Sequence, residues 1–183
     1  MMRRIAVITV SVVLAGAGLS LAQGAGPGPG PGPGQGMGGM GKGMMHGMDD
    51  AHQADMALIH FLLDNGKKVS RTITELPDGV VTLTESSDPD IALKIRAHVT
   101  AMYRRLEDKK PIHLRDPLFR ELFANADKVV MKSEATVAGV KVTETSADPK
   151  VAALIKEHAK VVSQFIENGR AEAMKNHAVP PGD

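Results

Sequence analysis

The sequence predicts an α+β fold in which two α-β-β-α repeats, related by a pseudo-two-fold axis, build a four-stranded antiparallel sheet covered by helices. Three observations predict it: a duplication, two pairs of alternating segments, and three Asp-Pro helix starts. The duplication comes first, because a fixed internal period decides architecture. "TESSDPDIALKIRAHVTAMYRRLED" begins at Thr84 and "TETSADPKVAALIKEHAKVVSQFIEN" at Thr143. Aligned on Asp88-Pro89 and Asp148-Pro149, the helices match at a constant offset of 60. Ile91 meets Val151, Ile95 meets Ile155, His98 meets His158, and Glu107 meets Glu167. Upstream, Asn65 matches Asn125, and Lys68-Val69 matches Lys128-Val129. This alignment puts one extra residue, Ala147, in the second loop before its helix.

Each repeat reads as helix, hairpin, helix. The first helix is expected over about 50–65, closed by "DNG", a C-cap and turn signal. Val69, Arg71 and Ile73 then alternate, "LPDG" turns the chain, and Val81 and Leu83 alternate on the return strand. "SDPD" starts the next helix, which runs to about Asp108. Asp88 is its N-cap, and Pro89 takes the first helical position, where a missing N–H costs nothing. The second repeat follows the same plan. "DPLFRELFANAD" opens on Asp116 and Pro117, strands follow near 128–134 and 140–145, and a last helix spans 149–168. A lone hairpin is barely stable in water, so each needs helices over its apolar face. The domain is expected over 49–170, with repeat one at about 56–109, repeat two at about 116–169, and a tail at 171–183.

Ahead of the domain, "MMRR" precedes an apolar run from Ile5 to Leu21 and small residues around Ser20 and Ala22. That is the charged, apolar, small-residue order of a secretory signal peptide, with cleavage expected after Ala22. Residues 1–22 therefore predict export, to a bacterial periplasm or beyond, with no membrane span left afterwards. A run of this length also suffices for an uncleaved anchor. Residues 23–48 read as a disordered Gly/Pro/Met-rich spacer. "GPGPGPGPG", from Gly26 to Gly34, supports neither helix nor ladder, because proline lacks the N–H and glycine favours disorder.

Charge and composition exclude several classes. Loss of residues 1–22 removes Arg3 and Arg4 and lowers Lys plus Arg from 22 to 20 against 21 acids. A chain near neutrality carries no basic footprint for nucleic acid or anionic membrane. With no cysteine among 183 residues, neither disulfide nor thiolate chemistry is available. Any soft-metal chemistry must then use thioether and imidazole.

Those groups are present in two places. "MGKGMMHGM", following Met37 and Gly38-Gly39, packs Met40, Met44, Met45, His46 and Met48 into nine residues without an apolar period. Thioether with imidazole suits Cu(I), and Met44, Met45, His46 and Met48 are the expected ligands there. Compositional drift in a spacer is the competing account. The second place is the helix stripes. Ile91, Ile95, His98, Met102 and Leu106 share one face in repeat one, and Val151, Ile155, His158 and Val162 in repeat two. His60 sits between Met56 and Leu63 on the expected core face of the first helix, two turns after His52. Buried imidazoles are costly unless satisfied. Copper held by His60, His98, Met102 and His158 would satisfy them, and haem iron is an alternative. Backbone or carboxylate partners for ordinary core histidines would also do so, leaving a small-ligand or purely structural periplasmic module, with another periplasmic protein as its partner.

The remaining histidines look peripheral. His113, in "KKPIHLRDP", reads as exposed between the repeats, and His177, in "NHAVPP", as solvated tail. Thr84-Glu85-Ser86 and Thr143-Glu144-Thr145 read as turn chemistry. No Ser/His/Asp motif, phosphate loop or HExxH is present, which disfavours an enzyme. "HFLLDN", "DPLFRELFANADK" and "TETSADPKVAALIKEHAKVVSQFIENG" resemble a group of uncharacterised exported bacterial proteins over about residues 56–180. The resemblance implies an exported bacterial protein and brings neither an activity nor a site.

Overall fold

The computed structural model describes residues 40–181, with side chains from Asp50 onward. In chain order the elements are α1 (Met40–Asp64), β1 (Ser70–Leu76), β2 (Gly79–Glu85), α2 (Pro89–Glu107), α3 (Pro117–Ala124), β3 (Val130–Ala135), β4 (Gly139–Thr145), α4 (Pro149–Asn168) and α5 (Arg170–Ala173). Short 3₁₀ turns, Gly66–Lys68 and Ala126–Lys128, lead into β1 and β3. The fold is α+β, with one four-stranded antiparallel sheet in the order β1-β2-β4-β3. Among the described residues no helix is long and apolar enough to cross a membrane. The expected signal at 1–22 and the Gly-Pro spacer lie outside the described residues.

The Asp-Pro starts behave as helix caps. Asp88 accepts from the backbone N–H of Asp90 and Ile91, Asp116 from Leu118, and Asp148 from Lys150. Each such cap contributes about 1 kcal/mol. In front of two of them a serine hydroxyl tightens the turn: Ser86 Oγ accepts from Asp88 N (3.2 Å) and Ser146 Oγ from Asp148 N (3.2 Å). Ser86 N donates to Ala138 O and Ser146 N to Asp78 O, each at 2.9 Å. The Ser86 and Asp88 contacts with their own loop and with the facing turn recur at Ser146 and Asp148, 60 residues on. Ala147 is therefore the counterpart of Ser87, not an insertion, and Thr84 corresponds to Glu144 rather than Thr143.

The centre of the sheet is the β2–β4 pair, in which Thr82 faces Val142, Gly79 faces Thr145, and Glu85 faces Gly139. Thr82 thus pairs with the residue 60 positions further along the chain. Gly79 and Gly139 permit the approach, because a Cβ on either would overlap the carbonyl oxygen of Glu144 or Thr84. The helices cross over between repeats. Ile91 and Ile95 of α2 pack on Val140 and Val142 of β4, whereas Val151 and Ile155 of α4 pack with Val80 of β2. Leu118, Phe119 and Leu122 of α3 close the second cluster, and Phe61 and Leu62 of α1 lie against the first.

Two expectations are corrected here. The helix-covered face of β2 carries Val80, Thr82 and Thr84, while Val81 and Leu83 are half-buried on the opposite face. Both phases of "VVTLT" hold apolar side chains, so alternation alone does not choose between them. The first helix also begins at Met40, ten residues before the expected start, so its backbone takes in 40–48 of the expected disordered spacer. Methionine is a good helix former, and extending a helix that tertiary contacts already hold avoids the nucleation cost. The side chains of Met44, Met45, His46 and Met48 lie outside the described residues.

Candidate functional site

Between the covered face of the sheet and the helices lies a cavity of about 240 Å³. Its walls are largely aliphatic and aromatic: Met56 and Leu62 from α1, Ile95 and Met102 from α2, Phe119 from α3, and Phe165 from α4. Into this lining project Arg71 of β1, Thr82 and Thr84 of β2, Glu144 of β4, His98 of α2 and His158 of α4.

The two histidines hold equivalent places in the repeats and line the same cavity. The Nδ1 atoms of both are buried with no hydrogen-bond partner among the described residues. Burial pushes the His98 imidazole down to about 4, with Arg71 adding to the effect and Asp55 opposing it. His158 is pushed down to about 4 by burial, then by the charges of Arg71 and His98, with Asp116 opposing. Both rings are therefore neutral near pH 7. The His158 ring stands edge-on to Phe119, with centroids 5.1 Å apart.

Arg71 supplies the cavity's cation. Its Nη1 donates to Thr84 Oγ1 at 2.5 Å, while its Nε is buried without a partner. Desolvation lowers the guanidinium to about 10, and only the Glu144 carboxylate acts against this. Burial raises the Glu144 carboxyl above the usual carboxylate range, with Arg71 pulling the other way. A cation, a carboxyl made less acidic by burial, and two neutral imidazoles thus line one largely apolar cavity. Isolated polar groups in such surroundings are costly unless hydrogen-bonded.

The expected metal set is not brought together as a whole. His98, Met102 and His158 line the cavity. His60 is exposed and borders an adjoining surface groove of about 500 Å³ with His52, Met56 and Ile59. The expected core-facing place of His60 is corrected: α1 packs toward α2 through Phe61 and Leu62, which leaves His60 on the exposed side of the helix. Among the described residues, no group of three or more His, Asp or Glu side chains is placed to hold a metal ion.

Two histidines read as peripheral are instead structural. His113 takes a left-handed backbone conformation (φ 60°), and its ring packs edge-on to Phe119 at 4.9 Å. It borders both the cavity and the groove. Burial lowers its basicity, against the pull of Asp116. His177 folds back onto the domain, its side chain only 11% exposed. Its Nδ1 meets the fully buried Asp116 Oδ2 at 2.6 Å, and its Nε2 meets Glu172 Oε1 at 3.3 Å. Its backbone N–H donates to Asp116 Oδ1 at 3.2 Å. The expected tail therefore belongs to the folded domain, and α5 places Glu172 to receive it.

Sequence reading also passed over Arg71 and Glu144. The signal for Arg71 was there: a charge between Val69 and Ile73 on the apolar phase of a strand. Glu144 was hidden by the one-residue slip that matched Thr143 with Thr84. No family model, curated protein or solved structure matches the chain.

Proposed function

We propose that this chain is a binding protein for a small, mainly apolar organic ligand with one polar end, held in the cavity between sheet and helices. The observation that carries this reading is that His98 and His158, each with a buried, unpartnered Nδ1, both line a single, largely apolar cavity. Polar groups in a protein interior are normally satisfied, and clusters that are not point to a function. An apolar pocket with a few convergent polar groups is the usual form of a small-molecule site. On the reading of residues 1–22 as an export signal, binding takes place outside the cytoplasm. The test is titration with an environment-sensitive naphthalene dye, followed by displacement with small amphiphiles. Wild type is expected to bind the dye saturably at one site. Val162→Phe, which fills the cavity from α4, is expected to stay folded and lose that binding. Equal dye binding by both proteins would place the site elsewhere and sink the reading.

Copper is the second reading, favoured by one observation: neutral His98 and His158 share the cavity with the Met102 thioether, a soft donor set. The guanidinium of Arg71 in the same enclosure works against any cation. Cu(I) titration against a competing chelator separates the two readings. Copper handling requires tight binding that weakens in His98→Ala/His158→Ala, and weaker uptake when residues 36–48 are deleted. A haem iron would use the same nitrogens and would show in an absorption spectrum.

A further inference from the structure

Most of the cavity lining falls into residue pairs 60 positions apart, and two of these pairs differ in charge. His98 pairs with His158, Thr82 with Val142, and Leu62 with Leu122, all of which line the cavity. The counterpart of Arg71 is Met131 and the counterpart of Glu144 is Thr84, and these too line it. One fold thus places an uncharged side chain at each of these positions in one repeat and a charged one in the other. Building the sheet does not require the charges.

The charges stand at different levels of the sheet. Arg71 pairs with Thr84, which lies opposite Val140, whereas Glu144 lies opposite Val80. Four residues along β2 separate the two levels, about 13 Å of strand at the usual rise. Among the described residues Arg71's only side-chain bond is to Thr84, and Glu144, which acts on it through its charge, is not in contact with it. That bond holds Nη1, and the Nε of the same cavity-lining side chain is left without a partner. A half-buried guanidinium with an unpartnered Nε, and with Glu144 acting on it only from beyond contact distance, is a costly arrangement. A planar, two-oxygen anion answers it, because guanidinium and carboxylate match as a bidentate pair.

We propose that the ligand is an aliphatic monocarboxylate, its carboxylate received by Arg71 beside the His98 and His158 nitrogens and its chain lying along the apolar walls. The proposal rests on the cavity-binding reading above and specifies its ligand class. A cavity of about 240 Å³ suits a medium-length chain rather than a long lipid. Glu144, at the other level, is not part of the anion site.

The test uses the folded protein and three probes of one length: octanoate, 1-octanol and octylamine. Wild type is expected to bind octanoate about tenfold to a hundredfold more tightly than octanol, the range for a charge-assisted bond, and to reject octylamine. Arg71→Met, which installs the side chain of the other repeat, is expected to abolish the preference while octanol still binds. Glu144→Thr, made on the same logic, is expected to keep it. If octanol or octylamine binds wild type as well as octanoate, or Arg71→Met retains the preference, the head-group assignment is wrong and the cavity reading stands. If no probe binds and none displaces the dye, the cavity reading itself falls. The comparison of probes on wild type decides the matter even if a variant fails to fold.

Discussion

Acidification from about pH 8 to about pH 5 is expected to destabilise the domain through His98 and His158, by an amount the structure sets. Both imidazoles fall to about 4 in the folded chain, from an ordinary value of 6.5. The folded state therefore holds fewer protons than the unfolded state between those limits, and stability rises with pH across the window. It is complete above about pH 6.5, falls as the unfolded chain takes up protons, and levels off below about pH 4. Each histidine accounts for about 2 kcal/mol at pH 5 and about 3 kcal/mol below pH 4. Together that is about 4 kcal/mol at pH 5, a large part of a total that is typically about 5–15 kcal/mol. His113, also lowered, adds in the same direction. Glu144, raised by burial, works the other way and offsets part of the loss. Asp64, Asp88 and Asp148 are lowered carboxylates whose contribution is lost only at more acid pH, below the window. The assay is urea unfolding followed by far-ultraviolet circular dichroism at steps from pH 8 to 5. In His98→Gln/His158→Gln, whose amides do not titrate, the pH 8 to 5 loss should shrink by about 4 kcal/mol. A wild-type stability flat across the window, or a double variant with the wild-type slope, refutes the reasoning.

Two further predictions rest on geometry alone. Gly79→Ala and Gly139→Ala should each cost about 3 kcal/mol or more in urea unfolding, because the added Cβ overlaps a carbonyl of the facing strand at the β2–β4 seam. A cost under about 1 kcal/mol at both sites would mean that the seam is looser than described. His177→Ala should release the C-terminal segment from Asp116 and cost about 2 kcal/mol, the scale of a buried charge-assisted bond. Amide exchange should then quicken over 174–181 while the sheet stays protected; unchanged exchange there would show that the segment is held by other contacts.

Much of this protein is written locally. Asp88, Asp116 and Asp148 mark helix starts because a cap needs only its own next three residues, and alternation with turn residues marks the strands because a hairpin is nearly local. The duplication was legible for the same reason, and with it the equivalence of His98 and His158. Pairing across the chain decided the rest. Whether Val80 or Val81 faces the helices depends on the register of β2 against β4, which Gly79 and Gly139 permit by letting two backbones close. The meeting of Arg71, His98, Glu144 and His158 depends on each long helix crossing to the other repeat's strands. His177 reaches Asp116 from 61 residues away, so no window of neighbouring residues contains that bond. Short-range order follows from backbone preferences and capping, which a sequence states directly. The cavity follows from which apolar faces meet in three dimensions, because burial rewards the face and not the residue's place in the chain.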